Sequence, residues 1–166
     1  MMKRINAPTF GPIFTMVSEK RGVGQPFSSS CEVFDSLKAD AQADREWLQV
    51  LYLDPKNNLI HQALEAVGSI DSAVIPHREI AKRALVVGAS AVVLVHNHPS
   101  GDPEPSLCDR ELTRDVIFAL GVLGIKTLDH LVIGAKINGE QRYFSFADQG
   151  LIDDYDLMFS SLPLPR

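Results

Sequence analysis

The sequence predicts a mixed α/β fold, with a central mixed sheet flanked by helices. Three observations predict it. Elements follow one another as strand, helix, buried strand, helix, strand, strand. One of them, "SAVVLVH" (90–96), is a continuous apolar run, as in a strand covered on both faces. The run from Ser106 to Leu123 that follows it carries Leu112, Val116, Ile117, Leu120 and Leu123 at helical spacing.

Each element has its own signal. Residues 1–27 are irregular, broken by Gly22, Gly24 and Pro26, with "PIFTMVSE" (12–19) as a short edge strand whose open side can pair with a second copy in a homodimer. "SSSCEVFDSLKA" (28–39) reads as a helix: a serine caps it, Glu32 lies in its first turn, and Val33, Phe34 and Leu37 form an apolar face. "REWLQVLYLD" (45–54) has the aromatic and branched residues of a strand, "DPKNN" (54–58) is turn chemistry, and "LIHQALEAVG" (59–68) is the second arm of a hairpin. "IPHREIAKRALVVGA" (75–89) is a helix that starts near Pro76, pairs Arg78 and Glu79 on its surface and stops at Gly88. "IKTLDHLVIGA" (125–135) and "QRYFSFA" (141–147) are the last strands. A main domain over 28–151 then ends in a tail, 152–166, acidic and then proline-rich, expected to be loosely ordered.

Composition sets bounds. A chain of 166 residues suits one domain, and 45% apolar with 22% charged residues is ordinary for a globular protein. The net charge of −5 argues against non-specific nucleic-acid binding, although Lys82 and Arg83 could form a local basic patch. Cys31 and Cys108 make neither a disulfide framework nor a CxxC pair, and Cys108 reads as a small core residue. No signal peptide and no apolar run of membrane-spanning length are seen, so a cytoplasmic protein without membrane partners is expected.

The chemistry concentrates in "VHNHPSGDPEPSLCD" (95–109). If the strand continues to His98, His96 and His98 point to the same side. Asp109, on the first turn of the next helix, can swing back toward them. Two imidazoles and one carboxylate suit zinc with a fourth position left for water, the arrangement of catalytic zinc sites. Such a water loses several pKa units and becomes a nucleophile near neutral pH. The plainer reading of an isolated HxH is two polar residues at a strand end. Ser106 and Asp109 form an S-x-x-D capping pattern whichever reading holds. Asp102 and Glu104 read as solvated loop charges. HNH nucleases, TIM-barrel amidohydrolases and HxHxDH hydrolases are excluded by contiguity, by length and by Pro99.

"HNHPSGDPEPSLCD" resembles the JAMM signature, H-x-H-P followed by S-x-x-D, in the form carried by bacterial RadC-type proteins. "RALVVGASAVVLVHNHPSGDP" and "LGIKTLDHLVIG" resemble the same family, and the similarity runs from about Ser28 to Leu151. The resemblance implies an MPN (JAB) fold, an α/β/α sandwich related to cytidine deaminases. It implies zinc on His96, His98 and Asp109, and Ser106 as the serine that holds the oxyanion in metalloprotease and isopeptidase relatives. It also implies a glutamate that carries a proton from water to the leaving amine. Ala63 stands where many RadC-type chains place an acid. Glu65, two residues on and on the same face of a strand, is the candidate base, with His61 as a supporting group. His130 reads as a hydrogen-bonded structural histidine.

Three functions follow: a zinc-dependent hydrolase of a peptide or protein amide, an inactive MPN scaffold, or a DNA-repair accessory. The first 27 residues are too short for the helix-hairpin-helix module usual in RadC proteins.

Overall fold

The computed structural model describes residues 26–68 and 77–163. The expected edge strand over 12–19 and the helix-start residue Pro76 lie outside them. Five strands form one sheet: β1 (Trp47–Leu53), β2 (Leu59–Val67), β3 (Ala91–His98), β4 (Lys126–Gly134) and β5 (Tyr143–Ser145), in the order β2-β1-β3-β4-β5. β3 and β4 run parallel and every other pair is antiparallel, so the sheet is mixed, as expected. The helices are α1 (Ser30–Leu37), α2 (His77–Val87), α3 (Leu107–Gly121) and α4 (Leu151–Ser160).

The alternation of side chains along a strand divides the core into two layers. Leu48, Val50 and Tyr52 of β1 and Val92 and Leu94 of β3 pack with Ile80 and Ala84 of α2 and Leu112, Val116 and Leu120 of α3. Their neighbours Trp47, Leu51, Leu53, Val93 and Val95 pack with Val33 and Leu37 of α1. The sheet is therefore the middle of an α/β/α sandwich, which explains why β3 reads as a continuous apolar run.

Two expectations need correction. The tail from residue 152 begins as a helix: α4 places Ile152 against Ile117, Val132 and Phe146, with Leu151 and Tyr155 beside them. Cys108 is half-buried on α3 and does not belong to the core.

Candidate metal centre

β3 does continue to His98, and its phase decides where the histidines point. His96 and His98 continue the Val92–Leu94 side of the strand, which faces α2 and α3. Pro99 ends the strand. The His98 carbonyl then accepts from Gly101 N and Ala135 N, both at 3.0 Å. Gly134 lies opposite His98, and a Cβ there would stand 2.2 Å from the Gly101 oxygen, so only a glycine lets the loop lie this close. That loop turns the Asp102 carbonyl onto His98 Nδ1 at 2.8 Å. A carbonyl can only accept, so His98 carries its hydrogen on Nδ1 and presents an Nε2 lone pair.

Asp109 arrives from the other side. Ser106 caps α3, and the expected capping box forms: Asp109 Oδ2 accepts from Ser106 N and Ser106 Oγ, each at 2.7 Å, while Asp109 N donates to Ser106 Oγ at 3.2 Å. The box aims the carboxylate at the histidines. His96 Nε2 is 3.0 Å from His98 Nε2 and 3.2 Å from Asp109 Oδ1, and His98 Nε2 is 3.5 Å from Asp109 Oδ2. Ligands about 2.0–2.1 Å from a tetrahedral centre stand about 3.3 Å apart. The two nitrogens and the carboxylate thus lie close enough, and have the chemistry, to converge on one small divalent ion. Among the described residues, His96, His98 and Asp109 form a group able to hold a metal, all donor atoms lying within 4.8 Å of one another. His96 and Asp109 are buried, whereas the His98 side chain is 15% exposed, so the open side lies beside His98.

Electrostatics follow from burial and proximity. Burial lowers the pKa of His96, against the pull of Asp109. Burial also opposes protonation of His98, but Asp109 and the Asp102 carbonyl outweigh it and raise its pKa. Burial would raise Asp109, yet the two imidazoles beside it and the Ser106 hydroxyl hold it far below the usual carboxylate range. His130 is buried beneath this group, its Nε2 2.7 Å from His96 Nδ1, and burial lowers its pKa well below 6.5. It is the hydrogen-bonded histidine expected, outside the ligand set.

A profile of the RadC-like JAB domain matches residues 27–151. The chain belongs to the RadC-like JAB domain family. The chain is 42% identical over 134 residues to UPF0758 protein YfjY of Escherichia coli K12, covering 80% of each. It is 38% identical over 130 residues to UPF0758 protein YkfG of the same strain, covering 78% of this chain and 79% of that one. To UPF0758 protein VV0285 of Vibrio vulnificus YJ016 it is 46% identical over 108 residues, or 65% of this chain and 46% of the relative. Beside several such longer relatives the chain spans about half their length.

This RadC-like JAB domain does not bring Glu65 to the metal group. Parity placed it on the right face, but β2 carries a bulge: Leu48 pairs with Ala66 and Gln49 with Leu64, leaving Glu65 as the extra residue. Its Oε1 accepts from Tyr52 Oη at 2.7 Å and Arg83 Nε at 2.8 Å, a bond that ties the hairpin to α2. His61 sits in a surface cavity with Glu79, Lys82 and Arg83, apart from the ligands, and Ala63 is core opposite Val50. Lys82 and Arg83 both face acids, Glu79 at 3.6 Å and Glu65 at 2.8 Å, so they make no unopposed basic patch.

The carboxylate that does approach is Glu46, which the sequence reading did not single out. Glu46 immediately precedes β1, whose Leu48 pairs with His96, two residues short of His98 on β3. Its charge favours protonation of both histidines. Asn97, buried between them in sequence, holds the backbone on either side of it: Oδ1 accepts from Trp47 N at 2.8 Å and Nδ2 donates to the Arg45 carbonyl at 3.1 Å. The available signal was the antiparallel course of the two strands, with Glu46 just before β1 and His98 at the end of β3. Asp102 is exposed, the loop charge expected, and its backbone carbonyl orients His98. No helix among the described residues is long and apolar enough to cross a membrane.

Proposed function

We propose that this domain is a zinc-dependent hydrolase of a peptide or protein amide. The observation that carries the reading is the convergence of two imidazole nitrogens and a carboxylate, with the charge of a second carboxylate, Glu46, acting on both histidines. His96, His98 and Asp109 would hold the ion. Zinc supplies a Lewis acid that acidifies a water and polarises an amide carbonyl.

The chain's own groups supply the rest. The Glu46 carboxylate accepts the proton of the attacking water and delivers it to the leaving nitrogen. Asn97 keeps the backbone of Glu46 in place for both transfers. Ser106 aims Asp109 through its amide and hydroxyl, and turning that hydroxyl hydrogen outward would let it donate to the tetrahedral oxyanion. Glu65 serves to join β2 to α2.

The test is a fluorogenic peptide library with the zinc-loaded chain and its Glu46→Gln variant. The proposal expects cleavage by the wild type, a loss of about 10²–10⁴-fold in the variant, and equal zinc content. Stoichiometric zinc in a wild type that cleaves no better than Glu46→Gln would contradict it and favour a scaffold.

A further inference from the structure

His98 takes its tautomer from the Asp102 carbonyl, whereas His96 has no carbonyl on Nδ1. It meets His130, and a second histidine can donate or accept. The direction is settled two bonds further on. Thr113 Oγ1 lies 2.6 Å from the carbonyl of Asp109, one helical turn earlier, and donates its single hydrogen there. It can therefore only accept from His130 Nδ1, at 2.6 Å. The His130 ring is fully buried, stacked on Phe146 with centroids 4.9 Å apart, and among the described residues its nitrogens face Thr113 and His96. With no carboxylate against it, the ring is neutral and has one N–H, already committed to Thr113. Its Nε2 is then an acceptor, and His96 Nδ1 must donate to it at 2.7 Å.

We infer that Thr113 and His130 are positioning residues: they fix His96 as its Nδ1–H tautomer and so commit its Nε2 lone pair to the ion. The inference rests on the metal reading above. It adds a relay, from the Asp109 carbonyl through Thr113 and His130 to His96, that links two ligands on different elements. A lone pair on His96 Nε2, 3.0 Å from the lone pair on His98 Nε2 and beside a carboxylate, leaves the site in want of a cation. Groups that orient a ligating histidine through its other nitrogen are typically worth about 10–100-fold in metal affinity.

Two measurements test this. In the chelator-stripped wild type, ¹⁵N–¹H correlation of the imidazoles is expected to show His96 protonated on Nδ1 only. Finding it on Nε2, or in a mixture, overturns the relay whether or not zinc binds. Conversely, the Nδ1–H form in a chain that binds no zinc sinks the metal reading and leaves the relay standing. The second measurement is zinc affinity by competition with a chromophoric chelator. Thr113→Val, nearly isosteric, is expected to lose about 10–100-fold in affinity with little change in apo melting temperature, while Thr113→Ser stays close to the wild type. His130→Gln, which retains an acceptor, is expected to bind zinc more tightly than His130→Leu. Thr113→Val binding zinc as tightly as Thr113→Ser would overturn the inference, as would equal affinities for the two His130 variants.

Discussion

Arg83→Met separates the two roles that a carboxylate on β2 could have. Glu65 is 4% exposed in its side chain and Arg83 22%, with 2.8 Å between Nε and Oε1. Removing the guanidinium leaves a buried carboxylate with the Tyr52 hydroxyl as its remaining described partner. Breaking a fully buried pair costs about 3–5 kcal/mol. Here Arg83 is partly solvated and the tyrosine still donates, so about 2–3 kcal/mol is the expected loss. For a chain of this size that lowers the melting temperature by about 4–12 °C. Adding Glu65→Gln removes the stranded charge and should return more than half of the loss, a coupling that a double-mutant cycle in urea measures directly. Zinc content and peptide cleavage should be unaffected in the double variant. A loss in Arg83→Met below about 0.5 kcal/mol, within ordinary additivity error, would refute the structural role of the pair. So would Glu65→Gln abolishing cleavage at an unchanged melting temperature.

Other predictions follow from the same geometry. Gly134→Ala drives a Cβ into the Gly101 oxygen, so the loop that carries the Asp102 carbonyl must shift; thermal melting should show a loss of about 1–3 kcal/mol, and zinc competition a weaker site. Ser106→Ala removes the cap and one of the two donors on Asp109 Oδ2, and should cost about 1 kcal/mol of stability in denaturant titrations. In chelator-stripped protein, burial lowers His96 and His130 from their ordinary 6.5, so the unfolded chain binds more protons below that pH and stability falls on acidification. His98 is raised, is protonated in both states below 6.5, and adds no slope there. His130→Gln should therefore flatten the slope of stability between pH 6.5 and 5 by up to about 1.4 kcal/mol per unit; an unchanged slope would show that His130 is not buried neutral.

What was legible in the sequence was local. The two-residue period of β3 puts His96 and His98 on one face, and S-x-x-D closes a capping box within a single helical turn; both need only the residues themselves. What was not legible depends on pairing across the sheet. The charge of Glu46 acts on the histidines because β1 runs antiparallel to β3, a pairing between residues about fifty apart that no local period encodes. Glu65 satisfied the parity rule, but a bulge in β2 and the reach of Arg83 decided where its carboxylate went. Likewise α4 carries Asp153, Asp154 and Asp156 ahead of a proline-rich end and reads as a tail; its helix is held by Ile152 against α3 and the sheet, a tertiary contact.

The central claim is that His96, His98 and Asp109 together hold one divalent ion, and metal analysis of protein purified without chelator tests it most directly. One zinc per chain is expected, with less than about a tenth of an equivalent in His98→Ala and in Asp109→Asn, and a melting temperature that falls on chelation in the wild type alone. A wild type that carries no more metal than these variants, and melts at the same temperature with and without chelator, would contradict the account.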